Sequence, residues 1–263
     1  MIKLTGIPFD ANSSFLKGPA LAPPRIRLMD KDGSANAYSE SGLEIVEGVT
    51  YNDIGDLYFD TTNAEKAYRL IKQHISENLD ASTKIISIGG DHSITFPVVE
   101  AYTKMYGEIH ILHIDAHADL YDNFDDNPYS HASPFARIME NGFANSLTQV
   151  GIRTLNNHQR EQAKKINVTV IEMKDFDYSF LSKLRGPLYI SLDLDGLDPA
   201  YAPGVSHHEP GGLTTRELIS IIQKINVPII GADIVEYNPT RDINNMTAMV
   251  AYKLLKELIA KMH

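Results

Sequence analysis

Residues 109–119 read IHILHIDAHAD, and this stretch decides the fold. Its first half is an apolar run rich in Ile and Leu, the composition of a strand buried on both faces. Its second half sets Asp115, His117 and Asp119 at alternate positions. In extended backbone, residues two apart point to the same side, so three potential metal ligands face one pocket at the end of one strand. Carboxylate with imidazole suits a borderline-hard divalent ion. His113 faces the same way and reads as a core or supporting residue rather than a further ligand.

Two other stretches repeat the arrangement. Residues 188–204, LYISLDLDGLDPAYAPG, carry an apolar strand into Asp193 and Asp195. Two carboxylates so close repel unless a cation sits between them. Asp198 breaks the alternation and reads as a turn residue. Residues 85–93, IISIGGDHS, end a strand at Gly89-Gly90, where backbone can turn tightly or approach a ligand closely. His92 follows, and Asp91 can orient a ligand from behind. The six ligands His92, Asp115, His117, Asp119, Asp193 and Asp195 balance two divalent ions. Such a pair bridges one water and lowers its pKa, which predicts hydrolysis of a polar electrophile.

Working outward, the apolar runs Ile2–Ile7, Lys84–Ile88, Ile109–Ile114, Leu147–Val150, Val168–Ile171, Leu188–Leu192 and Pro228–Ala232 predict strands. Between them, Asn63–Asn78, Phe96–Tyr106, Ser133–Glu140, Asn157–Lys165, Thr215–Lys224 and Asn245–Met262 predict helices. This alternation implies a three-layer α/β/α fold with a parallel sheet, in which ligands bind at the carboxyl ends of strands. The proline-rich Pro19–Arg27 reads as an ordered loop. No linker or repeat divides the chain, so residues 1–263 are expected to form a single domain.

The 263 residues include no cysteine, which excludes disulfides and thiolate metal sites. Lys plus Arg total 24 against 34 Asp plus Glu, a formal charge of -10, which argues against a nucleic-acid partner. No stretch approaches the roughly 18–20 apolar residues of a membrane helix, and the N-terminus lacks a signal-peptide run. A soluble, cytoplasmic protein is expected.

GGDHS, DAHAD and SLDLDGLDPAYAPG resemble the three signatures of the ureohydrolase superfamily, which includes arginase, agmatinase, guanidinobutyrase, proclavaminate amidinohydrolase and formimidoylglutamase. The segments GIPFD from Gly6, EPGGLT from Glu209 and DIVE from Asp233 are similar to further family segments, so the likeness covers nearly the whole chain. It implies an arginase-like fold and two manganese ions per subunit, while the ligand types alone would also admit iron, cobalt, nickel or zinc. His92, Asp115, Asp119 and Asp193 would bind one ion, and Asp115, His117, Asp193 and Asp195 the other. It also implies attack of hydroxide on a guanidinium carbon, with Asp119 passing a proton to the leaving amine, His131 shuttling protons and Glu236 pairing with the guanidinium. A homo-trimer or homo-hexamer is implied as well.

For the substrate, arginase-type relatives place an Asn where this chain has Tyr121, and agmatinases are more similar there and at Val150–Thr154. That favours a guanidino compound without an α-carboxylate: agmatine, split into putrescine and urea. Tyr121, Asn156, His207 and His208 are the candidate substrate contacts. Arginine, guanidino acids, guanidine and formimidoylglutamate stand as alternatives. A non-catalytic metal-binding homologue is the alternative of another class, and the presence of all eight residues of the expected set speaks against it.

Overall fold

The computed structural model describes residues 1–263 as eight parallel strands flanked by helices. The strands are β1 (Ile2–Ile7), β2 (Asn52–Asp56), β3 (Lys84–Gly89), β4 (His110–Ile114), β5 (Ser146–Ile152), β6 (Thr169–Glu172), β7 (Leu188–Asp193) and β8 (Ile229–Val235). They lie in the order β2-β1-β3-β8-β7-β4-β5-β6. The helices are α1 (Ala22–Lys31), α2 (Ala64–Asn78), α3 (Thr95–Tyr106), α4 (Pro134–Glu140), α5 (Asn157–Lys165), α6 (Thr215–Lys224) and α7 (Met246–Met262). The α/β architecture with a parallel sheet expected from the sequence is present.

Alternation along the central strands builds two cores. Ile86 and Ile88 of β3, with Leu112 and Ile114 of β4, pack into the layer holding α1, α6 and α7. Ile85, Ile109 and Ile111 pack into the opposite layer with α2 and α3. Both faces are dry, which is why these strands are apolar throughout rather than alternately polar. Leu112 is fully buried at mid-strand. Replacing it with Ala is expected to cost about 3 kcal/mol, read as a lower midpoint in urea unfolding. A cost under about 1 kcal/mol would mean that the layer collapses around the gap.

Two elements depart from the sequence expectations. The segment from Ala22 is a helix, not a loop, with Pro23 and Pro24 in its first turn. Proline is tolerated there because those N–H groups have no intrahelical partner anyway. The strand β2, NDIGD, carries no apolar run because it is an edge strand with half-exposed residues. In addition, β8 runs past Ala232 to Val235, through a buried Asp233.

At the other edge, Arg160 of α5 holds Glu172 of β6 through two parallel hydrogen bonds of 2.7 and 2.8 Å. That pairing lowers the Glu172 pKa from 4.5 to about 2. Its ionised form therefore favours the fold above pH 4.5, and the advantage is lost as pH falls toward 2. The pair is largely solvated, so the effect is roughly 0.5 kcal/mol. In Glu172→Gln the acid limb of thermal stability should flatten over that window; an unchanged limb would count against the pair.

Candidate active site

Four adjacent strands, β3, β8, β7 and β4, deliver the site at their carboxyl ends. His92 follows β3, where Gly90 lets the chain pass Phe9; a Cβ there would lie 1.8 Å from the Phe9 carbonyl oxygen. Asp115, His117 and Asp119 follow β4, Asp193 ends β7, and Glu236 follows β8. Asp119 and Glu236 sit in the left-handed region, at φ 51° and 62°. Such backbone is uncommon outside glycine and clusters at functional sites.

The six candidate ligands converge. His92 Nδ1 lies 3.1 Å from an Asp115 oxygen and 3.2 Å from oxygens of Asp119 and Asp193. His117 Nδ1 lies 3.1 Å from Asp195 and 3.4 Å from Asp115. Five of the six residues are buried, and His117 is partly exposed toward the opening.

Hydrogen bonding fixes the state of His92. Ser191 Oγ donates to Asp233 Oδ1 at 2.7 Å, so it accepts from His92 Nε2–H at 2.9 Å. That leaves Nδ1 bare, buried and without a hydrogen-bond partner, its lone pair aimed at three carboxylates. Buried acceptors facing acceptors repel; a cation between them reverses the sign. Protons are the alternative. Burial favours a neutral His92, yet the surrounding carboxylates hold its pKa well above the usual value. Burial, with Asp195 and Asp115 beside it, pushes Asp193 well above the usual carboxylate range. Divalent ions would displace those protons, as metal binding to such donors does. The donor set fits two such ions.

His113 stands close enough to His92, Asp115 and Asp119 to belong to a ligand cluster, but both its nitrogens are engaged. Its Nε2–H donates to Asp115 Oδ2 at 2.7 Å, and Nδ1 accepts from the Gln149 amide at 2.9 Å. It orients Asp115 instead of offering a free ligand.

Above the acids opens a cavity of about 270 Å³. Asp119, Asp193, Asp195 and Glu236 lie on its walls with the imidazoles of His117, His131 and His207. Ser14, Tyr121, Thr154, Gln159 and Glu209 add hydroxyl, amide and carboxylate groups. No Lys or Arg lines it. Glu236 Oε1 accepts from the His92 backbone N–H at 2.9 Å and from His131 Nδ1–H at 2.8 Å. Oε2 has no protein partner. Burial opposes ionisation of Glu236, but His131 holds it below its ordinary pKa.

A family model described as "Arginase family" matches residues 1–260. The chain belongs to the arginase family. It is 45% identical to "Arginase 1, mitochondrial" of Arabidopsis thaliana, over 98% of this chain and 80% of that protein. The solved arginase from Medicago truncatula superposes with a TM-score of 0.93 at 43% identity, covering 99% of this chain and 87% of that one. Agmatinase of Bacillus anthracis is 31% identical over 98% of this chain and 90% of its own length. This is therefore an arginase-family hydrolase acting on guanidino C–N bonds, with that family's binuclear metal site. No helix is long and apolar enough to cross a membrane.

Within this arginase-family site, Tyr121 and His207 line the cavity, whereas Asn156 and His208 do not. Asn156 caps α5 through Gln159 N–H at 2.9 Å and donates to the Tyr121 hydroxyl at 2.7 Å. His208 is exposed and meets the Pro203 carbonyl at 2.8 Å. Both sit behind or outside the wall, because a loop residue's direction is set by its turn and not by its spacing. Asp198 is the turn residue its position suggested, accepting from Ala200 N–H at 2.9 Å and Gly211 N–H at 2.7 Å. Sequence reasoning missed Ser191, Asp233, Gln149 and Arg153. Arg153 reaches the carbonyls of Asp195 at 2.7 Å, Glu209 at 2.8 Å and Gly151 at 3.0 Å, tying the end of β5 to two points of the connection between β7 and α6. An arginine with no acid near it in sequence gives no sign of that role.

Proposed function

We propose that this protein hydrolyses L-arginine to ornithine and urea. The reading rests on the 45% identity to an Arabidopsis protein named arginase, against 31% to one named agmatinase. The Tyr121 expectation that pointed to agmatine is answered by chemistry. The hydroxyl accepts from Asn156, so its own proton is free to donate to an α-carboxylate, as an asparagine amide would. Ser14, Thr154 and Gln159 are further neutral donors, and Glu209 suits an α-ammonium.

Two divalent ions held by His92, Asp115, His117, Asp119, Asp193 and Asp195 would supply Lewis acidity and make hydroxide available near neutral pH. The oxygen- and imidazole-rich set suits manganese. Glu236 offers its free Oε2 to the guanidinium, a planar cation that carboxylates bind through parallel hydrogen bonds. Asp119, 8% exposed on the cavity wall, accepts and returns a proton for the leaving amine. His131, backed by Glu236, exchanges protons with the cavity.

One observation favours agmatine as the second reading: no cationic side chain lines the cavity to pair with an α-carboxylate. Urea release from the manganese-loaded protein, with arginine and agmatine compared by kcat/KM, decides between them. A ratio above about 100 for arginine, about 2.7 kcal/mol, supports the first reading. The inverse ratio supports the second, and silence with both would sink arginine and agmatine alike. A cytoplasmic location belongs to the same proposal; recovery of the tagged chain in mitochondria would overturn it.

A further inference from the structure

The loop after β1 reaches across the site to His131. Asp91 pins it, accepting from Asn12 N–H and Ser13 Oγ–H, each at 3.1 Å. The Asn12 carbonyl in turn accepts from the His131 backbone N–H at 3.3 Å. Held in this way, Ser14 presents two groups to one ring nitrogen. Its backbone N–H points at His131 Nε2 from 3.1 Å, and its hydroxyl lies 2.8 Å from the same atom.

A backbone N–H can only donate. Nε2 must therefore be the acceptor, and the ring proton sits on Nδ1, facing Glu236 at 2.8 Å. We propose that Ser14 is a positioning residue for the hydrolysis, fixing the His131 ring in the tautomer with a bare Nε2 and aiming it along the cavity wall. The arrangement runs Ser14, His131, Glu236. Each contact settles the next, as when a buried carboxylate fixes the tautomer of a histidine whose far nitrogen does proton chemistry. A side chain at the cavity mouth thus controls a proton-handling group below it. Without the Ser14 hydroxyl the ring would lose the shorter of its two Nε2 contacts and keep the Glu236 contact and the backbone N–H at 3.1 Å.

The inference rests on the guanidino-hydrolase reading, and the test separates the two. In Ser14→Ala, kcat for urea release should fall about tenfold while KM stays within about twofold, a fraction of what general acid–base groups contribute. Ser14→Thr, which keeps the hydroxyl, should recover most of the loss. In a His131→Ala background, Ser14→Ala should cost nothing further, since the two act as a unit. A residue that merely shaped the loop would cost as much in both backgrounds.

Nitrogen NMR of the imidazoles in the metal-free protein gives a readout independent of turnover. Burial favours the neutral ring, but Glu236 raises His131 to about 9, so the spectra are taken above that pH. Wild type should show Nδ1 protonated and Nε2 bare, and Ser14→Ala, which keeps the backbone donor, should show the same tautomer with the Nε2 resonance shifted by loss of the hydroxyl bond. An unchanged Nε2 resonance with unchanged kcat would overturn the role of Ser14. Wild-type protein that releases no urea would defeat the functional reading, and the spectra would still judge Ser14.

Discussion

Asp193→Asn should lower urea release by at least about a thousandfold and leave fewer than two divalent ions per chain. A thousandfold loss corresponds to about 4 kcal/mol of transition-state stabilisation, within the range a metal centre supplies. The substitution is nearly isosteric. The amide carbonyl it introduces can still accept the Asp195 N–H that Asp193 Oδ1 now holds at 2.7 Å. What changes is the oxygen 3.2 Å from His92 Nδ1, which becomes an amide NH₂ or a neutral carbonyl. A ligand to the cluster is lost, and so is one charge that balances the cations. The metal-free variant should melt no lower than metal-free wild type, because burial with Asp195 and Asp115 already disfavours the Asp193 anion. Metal content by elemental analysis, beside a melting curve, separates loss of the centre from loss of the fold. Two ions retained with full turnover would sink the ligand assignment.

Asp233→Ala should be the most damaging change outside the ligand set, lowering stability by about 3–5 kcal/mol and weakening metal retention. Asp233 is fully buried in β8 and accepts from three hydroxyls: Ser191 at 2.7 Å, Tyr189 at 2.8 Å and Thr95 at 3.0 Å. Truncation strands all three donors in a fully buried position, and each carries a desolvation penalty. It also frees the Ser191 proton. Ser191 could then donate to His92 Nε2, pushing the ring proton to Nδ1, the position a cation would need. Groups that orient metal-binding histidines typically matter 10–100-fold in affinity or activity. Calorimetric melting and metal titration measure the two consequences. A variant with wild-type melting and wild-type metal content would show that neither link matters.

The legible part of this fold was the part written as apolar runs. The strands β3, β4 and β7 are buried on both faces and break abruptly into alternating acids and imidazoles, so element and ligands could be read together. The edge strand β2 left no such trace, because half-exposed NDIGD has the composition of a turn. The helix α1 hid behind two prolines that its first turn accommodates. Asp233 looked like the end of a strand because a carboxylate is rarely buried, and only the three hydroxyls from β7 and α3 make it tolerable there. Of the six metal-site positions only Asp193 lies within a strand; the other five sit in the turns just beyond β3, β4 and β7, so the strand ends located them, while the extended alternation expected of them stops at those ends. Ser14, Asn156 and His208 lie in loops, where direction depends on contacts with distant segments, and spacing carries no information about them.

The left-handed backbone at Asp119 and Glu236 sets a limit on engineering. Aspartate tolerates that conformation through short-range hydrogen bonding, so at 119 the chain and the chemistry ask for similar residues. At 236 they disagree: the backbone favours glycine or asparagine, while the cavity needs a carboxylate long enough to reach both His131 and the guanidinium. A strained non-glycine position of this kind costs on the order of 1–3 kcal/mol. Thermostabilisation guided by backbone preference alone would therefore rank position 236 among the most attractive changes and would remove the reaction in making it. Robustness in this molecule has to be sought in the two helical layers, away from the strand ends where conformational comfort and turnover pull in opposite directions.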